Sequence, residues 1–156
     1  MRDWVHAPRP GEPAPGRDAI GGKAAALAAL AAVRGPGGAA PEVPRWVVLR
    51  TEAFAALAPT GIGDGSDRRA AILAVQPPQE LRTALRVALE AAGLWGRTAA
   101  VRSSAAAEDG ASASFAGQYE SVLGVPLGPG DDALWDAIRR VWASAVSAHA
   151  TAYGAA

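Results

Sequence analysis

Two short segments carry residues that could hold an anion. Gly21 and Gly22 stand directly before Lys23 and a run of strong helix formers, so backbone N–H groups, a helix dipole and an ammonium come together. Arg102 follows the apolar run 98–101, which is typical of a buried strand, and a guanidinium held at a strand end suits phosphate oxygens. The chemistry that both segments could perform is phosphate binding.

Each segment also has a plainer interpretation. The spacing around Lys23 is that of neither a P-loop nor a dinucleotide fingerprint, so these residues could form only a turn with a solvated lysine. Arg102 could pair with Glu108 or Asp109 in the loop that follows it. Neither segment, taken alone, distinguishes phosphate binding from the plainer interpretation.

The elements that must position these residues follow from the apolar pattern. Helices are predicted over 23–33, 52–57 and 78–92 and from 131 to about 153, with Thr51 as the N-cap of the second. Strands are predicted over 46–49, 98–101 and 119–125, and a polar loop over 59–69. Four tryptophans could offer a stacking surface for bases, but their scatter favours packing in the core and at its edge: Trp4, Trp95, Trp135 and Trp142.

Composition narrows the class of protein. The 156 residues contain 15 basic and 15 acidic side chains without a block of like charge, so no nucleic-acid surface is predicted. No apolar run approaches the ~20 residues that span a bilayer. With no cysteine and two histidines, no metal site is predicted either. We therefore predict a soluble, cytoplasmic domain without a membrane or nucleic-acid partner.

A longer segment joins these observations. From Val101 to Ser121 the chain reads VRSSAAAEDGASASFAGQYES. This strongly resembles the signature of the pyruvate phosphate dikinase, phosphoenolpyruvate synthase and rifampicin phosphotransferase family, in its N-terminal ATP-binding domain. The family pattern runs approximately V-R-S-S-A-x-A-E-D, then A-S-F-A-G-Q-x-E/D-T. Three further blocks agree in order and spacing, at 20–24, within 43–54 and within 137–153.

The resemblance implies a fold and a domain layout. It implies an α+β fold, the first subdomain of an ATP-grasp nucleotide-binding domain, with a small mixed sheet packed with helices. Residues 1–17 are interpreted as a flexible Pro/Gly-rich lead, and residues 18–156 as a partial ATP-binding domain of the pyruvate phosphate dikinase type.

The resemblance also implies roles for individual residues. Lys23 and Arg102 match the family's contacts to ATP phosphates. Gly117 and Ser121, and with them Gln118, match the part of the signature that lies over the phosphates, where backbone amides can cradle oxygens. Glu108 and Asp109, which match an acidic pair, are interpreted as fixing the loop. No residue of this chain is assigned as catalytic or as a metal ligand.

The implied reaction reaches beyond this chain. In a complete relative, ATP would pyrophosphorylate a histidine of a separate domain, release AMP and pass a phosphoryl group to pyruvate or another small acceptor. The Mg²⁺-binding residues and the adenine-holding segment are expected in the second half of the ATP-grasp domain, past residue 156, in a downstream domain or a second chain. We therefore expect the isolated chain to bind ATP weakly and to hydrolyse none, and whether it acts as an enzyme stays open.

Several positions depart from the family pattern. Arg45 and Trp46 replace a Pro-Gly or x-Gly pair, and Arg50 stands where threonine is usual. His149 and Gly154 replace arginines, and His149 is interpreted as a polar helix residue, not the phosphorylated histidine. These departures keep open a second hypothesis, a stand-alone non-catalytic remnant or partner-binding module that retains the fold.

Overall fold

The computed structural model describes residues 3–9, 11–59, 65–104 and 119–153, with the side chains of 65 and 146–153 excepted. Five α-helices lie in these ranges, with one short 3₁₀ helix (Pro36–Gly38): α1 (Arg17–Ala32), α2 (Thr51–Leu57), α3 (Gly65–Leu73), α4 (Gln79–Ala91) and α5 (Asp132–Tyr153). The strands there are β1 (Val5–His6), β2 (Val48–Leu49), β3 (Thr98–Arg102) and β4 (Ser121–Pro126). The presence of both helices and antiparallel strands confirms the α+β fold class.

The described strands form two antiparallel pairs. β1 pairs with β2, and β3 pairs with β4, with an irregularity between Ala99 and Val101. In the described ranges these two pairs stand where the resemblance implied a single small mixed sheet. The pairing places Arg102, the last residue of β3, opposite Ser121, the first residue of β4.

The core lies between α4 and α5. Leu81, Leu85 and Leu89 recur at helical spacing on α4, and all three are buried, as the predicted stripe requires. Trp135 and Ile138 of α5 join the same cluster, together with residues from the end of β4. The predicted use of the tryptophans in packing is confirmed: Trp4 and Trp135 are members of the core cluster, and Trp95 and Trp142 pack against that cluster.

Part of the Pro/Gly-rich lead belongs to this core. Trp4 is only 6% exposed, and the strand β1 that follows it pairs with β2. The backbone N–H of Arg50 also donates to the carbonyl of Trp4, at 2.8 Å. The first described residues are therefore tied to the domain by packing and by main-chain hydrogen bonds. The glycine and proline content did not indicate this attachment, because it depends on a single side chain, the buried indole of Trp4.

Two local predictions were wrong. The loop predicted over 59–69 gives way to α3 from Gly65, because Ile72 is fully buried beside Ala143 and this packing holds a helix that its polar start did not indicate. Thr51 is not an N-cap, since Arg50 occupies that position without a side-chain bond. The Thr51 hydroxyl instead donates to the carbonyl of Asp18, at 2.7 Å, and so ties α2 to α1.

Helix α1 begins earlier than predicted, at Arg17, and it is interrupted at Gly21. The φ of 78° and ψ of 171° at this residue lie in a region that essentially only glycine occupies. The chain turns there and resumes its helical course at Gly22. Lys23 consequently lies in the first turn after the break, as the sequence predicted for the start of this helix.

Candidate functional site

Arg102 ends strand β3 and is exposed. Its Nε atom donates to the Oγ atom of Ser121 across the strand pair, at 3.3 Å. Within the described ranges its two terminal nitrogens have no hydrogen bond, and no carboxylate there pairs with them. Nε of the guanidinium is held by Ser121, and a planar fork of donors of this kind can bind two oxygens at once.

Ser121 is the second predicted site residue that the structure describes. It is exposed at the start of β4, and its hydroxyl accepts the bond from Arg102. Ser121 does not line the large groove described below, so its observed contact is with the guanidinium. A hydroxyl in this place fixes the direction of the arginine side chain.

Lys23 is half-buried on α1, directly after the Gly21 break. The surrounding segment is tightly held, since Ile20 and Ala24 are only 1% and 4% exposed. Lys23 also makes a contact of its own with the rest of the protein. The lysine is therefore carried by a buried, well-packed turn.

Ser104 connects this turn to the end of β3. Its hydroxyl accepts from the backbone N–H of Ala24, at 3.0 Å, and donates to the carbonyl of Ile20, at 2.8 Å. In a continuous α-helix these two backbone groups would bond to each other, four residues apart. The serine hydroxyl has been inserted between them, at the place where Gly21 breaks the helix.

One groove, which five basic residues line, brings Lys23 and Arg102 to a common space. Lys23 and Arg102 both line a groove of about 1370 Å³ between α1, the chain around β2, β3 and α5. Its walls are mainly apolar, with Leu27, Trp46 and Phe54 among the lining side chains. Small-molecule sites typically enclose about 300–1,000 Å³, so the groove exceeds the usual volume of such a site. Cations above apolar walls suit a ligand with phosphates at one end and a flat apolar ring at the other.

The remaining predicted site residues lie outside the described residues. This holds for Gly117 and Gln118, and equally for Glu108 and Asp109, the proposed partners of Arg102 in its plainer interpretation. Their roles stay predictions. His149 lies on α5 at a position whose side chain is also outside the description.

Three of the positions that depart from the family pattern make contacts of their own. Arg45 donates through Nη1 to the carbonyl of Gly93, at 3.3 Å, at the end of α4. Trp46 packs on His6 with ring centroids 5.8 Å apart. Arg50 forms ion pairs with Asp3 and Glu52. Trp46 and Arg50 thus make contacts within the β1–β2 region, and Arg45 reaches the end of α4.

A second, smaller cavity of about 360 Å³ lies beside α4, lined by Arg82, Arg86 and Trp95 among others. Both arginines already pair with carboxylates. Arg82 contacts Asp131 at 2.6 Å, and Arg86 contacts Glu90 at 3.2 Å. Since these cations are neutralised, the groove that holds Lys23 and Arg102 is the better anion site.

No three His, Asp or Glu side chains of the described ranges converge as a metal site would require. No helix there has both the length and the apolar character that crossing a bilayer demands.

An α+β fold with a groove lined by basic residues, beside a glycine-containing turn, suits a phosphate-binding domain. The comparison with family models specifies the class. Residues 17–156 match the model described as pyruvate phosphate dikinase, AMP/ATP-binding domain, and the chain belongs to this family. The resemblance seen in the sequence is thereby confirmed, and with it nucleotide binding as the function of this domain type. A comparison with curated proteins finds none that matches this chain.

Sequence reasoning missed the role of Ser104. The serine was visible as one of two hydroxyls behind Arg102, but no spacing rule links it to Ile20 and Ala24, more than 75 residues away. The role of Ser104 could have been sought from the hydrogen-bonding needs of the backbone around Gly21. A glycine that breaks a helix leaves backbone groups without partners, and these require a donor and an acceptor from elsewhere.

Proposed function

We propose that this chain binds the phosphates of ATP through Lys23 and Arg102, as the N-terminal part of a dikinase-type phosphotransferase. The observation that carries the proposal is that these two cations, far apart in the sequence, line the same groove. Family membership supports the nucleotide as the ligand. The residue assignments rest on the match to the family signature together with this geometry.

The two cations suit different parts of the task. An ammonium is a compact point charge, whereas a guanidinium offers a planar fork that can bind two oxygens at once. Phosphoryl transfer from ATP consists largely of positioning and of neutralising charge. Lys23 on its buried turn and Arg102 on its strand end would supply both from rigid elements, and Ser121 would orient the arginine.

The proposed reaction needs more than this chain's described residues. ATP would pyrophosphorylate a histidine, AMP would leave, and a phosphoryl group would pass to pyruvate or another small acceptor. Mg²⁺ chemistry is expected from the second half of the ATP-grasp domain, on a downstream domain or a second chain. Gly117 and Gln118 are proposed as further nucleotide contacts on the strength of the signature alone.

One feature of the composition permits a direct test. Lys23 is the only lysine in the chain, so the α-amino group of Met1 is the only other amine. An ATP acyl phosphate transfers its acyl group to an amine that lies beside the phosphates, forming an amide and releasing ATP. We expect this probe to label Lys23, and we expect excess Mg-ATP to prevent the labelling.

The labelled position is read by mass spectrometry of peptides, and labelling of Met1 reports random reactivity in the same sample. In the variant Lys23→Ala, only Met1 should still react. Labelling of Lys23 that excess Mg-ATP leaves undiminished would contradict the proposed function.

A further inference from the structure

We propose that Ser104 is a positioning residue, which holds Lys23 and Arg102 at a fixed spacing by bridging the broken turn of α1 to the end of β3. The proposal rests on the proposed function, because it concerns how the two phosphate-binding cations are kept in place. Ser104 itself is not expected to touch the nucleotide. Its hydroxyl is already occupied by the two backbone groups that it joins.

The turn that carries Lys23 depends on hydrogen bonds from outside its helix. Gly21 removes this turn from the regular helix, so the helical bond between Ile20 and Ala24 needs a replacement. The Ser104 hydroxyl accepts from one of these residues and donates to the other. Because both are almost fully buried, water cannot readily take its place. The conformation around Lys23 therefore depends on a side chain from a distant strand.

The chain at Gly21 and the chain at Ser104 approach each other very closely. A Cβ atom built on Gly21 would overlap the backbone carbonyl of Ser104, so the two main chains are in direct contact. Only glycine permits this approach, and its positive φ also requires glycine. The hydroxyl bridge and the glycine contact together fasten the segments at one point.

The Ser104 bridge links the two chain segments that carry the cations. Arg102 precedes Ser104 by two residues, so their Cα atoms lie within about 7 Å of each other. Lys23 is the immediate neighbour of Ala24, to which Ser104 is bonded. Two like charges repel each other in the absence of a ligand, and a rigid connection keeps them ready for phosphate without reorganisation. Ser104 stands at the centre of that connection.

The test uses the full chain and the acyl phosphate probe. Measuring the labelling rate at several probe concentrations gives two quantities, the concentration at half-saturation and the rate at saturation. For Ser104→Ala we expect the saturating rate at Lys23 to fall by about tenfold, because a displacement on the order of 1 Å strongly slows a positioned reaction. Acetylation of Lys23 by a small N-hydroxysuccinimide ester should be unchanged. Ser104→Thr, which keeps the hydroxyl, should restore most of the rate.

A second measurement is independent of the nucleotide. The Ala24 amide is bonded to Ser104, so its hydrogen exchange, followed by NMR, should accelerate in Ser104→Ala and return towards the original rate in Ser104→Thr. Asp131→Ala is the control for loss of stability alone. It removes two side-chain bonds at the start of α5, away from the groove, and should leave the saturating rate within twofold of the original. If Ser104→Ala does not fold, Ser104→Cys fills similar space with a weaker hydrogen-bonding group and should show the same loss.

The outcomes separate the two proposals. ATP-protected labelling that Ser104→Ala leaves at the original saturating rate would overturn the positioning role and leave the proposed function intact. Labelling without protection by ATP would overturn the proposed function, and the positioning role with it. A slower, hydroxyl-dependent rate together with faster Ala24 exchange supports the inference.

Discussion

The Nε atom of Arg102 donates to the Oγ atom of Ser121, and the same two residues face each other in the register of the β3–β4 pair. Backbone pairing therefore delivers the hydroxyl to the guanidinium. This hydrogen bond restricts the rotation of the Arg102 side chain, which is exposed and lines the groove.

Removing the Arg102 guanidinium should weaken ATP binding. We expect Arg102→Ala to raise the half-saturation concentration of the acyl phosphate probe by about tenfold or more, because a charge-assisted contact contributes roughly 1.5–3 kcal/mol. Arg97→Ala is the matched control, since Arg97 is also exposed but does not line the groove. Equal effects of the two substitutions would show that overall positive charge, rather than a specific contact, governs binding.

The break in α1 should tolerate no side chain at Gly21. Gly21→Ala adds a Cβ that overlaps Ser104 and forces alanine into a glycine-only conformation, so we expect a loss of at least about 3 kcal/mol in the free energy of unfolding. Gly37→Ala is the control, because Gly37 also has positive φ but nothing lies near its added Cβ. That variant should lose only about 1 kcal/mol. Urea denaturation compares them, and similar losses would contradict the close contact with Ser104.

Two adjacent aspartates at the start of α5 should differ sharply. The Asp131 carboxylate accepts from Arg82 at 2.6 Å and from the indole of Trp135 at 2.9 Å. Asp132 is 88% exposed and lies 3.8 Å from the same arginine. We expect Asp131→Ala to cost about 2 kcal/mol, because the buried indole loses its partner, and Asp132→Ala to cost under about 0.5 kcal/mol. Thermal unfolding of the two variants measures the difference, and equal costs would rule out the specific role of Asp131.

Stability should fall in mildly acidic solution because of His6. Burial lowers the pKa of His6 below its ordinary value, although the carboxylate of Asp3 acts in the opposite direction. The unfolded chain therefore takes up a proton at a higher pH than the folded chain does, and the folded state loses stability as the pH falls from above about 6.5 through the lowered pKa. The buried Nε2 atom of His6 has no hydrogen-bond partner in the described residues, which is consistent with a neutral ring.

We expect the melting temperature of the wild-type chain to drop by a few degrees between pH 7.5 and pH 5.5. His6→Gln should flatten this dependence, because glutamine does not titrate. An unchanged slope in His6→Gln would assign the pH dependence to other groups.

Much of the fold could be predicted from local pattern. The stripe of α4 and the start of α5 at its two aspartates appeared where expected, because apolar periodicity and N-terminal acidic residues act over one or two helical turns. Helix α3 did not follow this rule. Its burial of Ile72 depends on Ala143 of a distant helix, which no local window contains.

The sequence by itself determined the family, because a long signature preserves residue types in order, and it predicted Lys23 and Arg102 as phosphate contacts. Only the tertiary structure decided how those residues are held. Ser104 replaces a helical hydrogen bond across more than 75 residues of chain, and Ser121 reaches Arg102 through strand register. Hydrogen bonds form between groups that folding brings within about 3 Å, whatever their separation along the chain. Residue types can therefore be read from the sequence, whereas their partners depend on the folded structure.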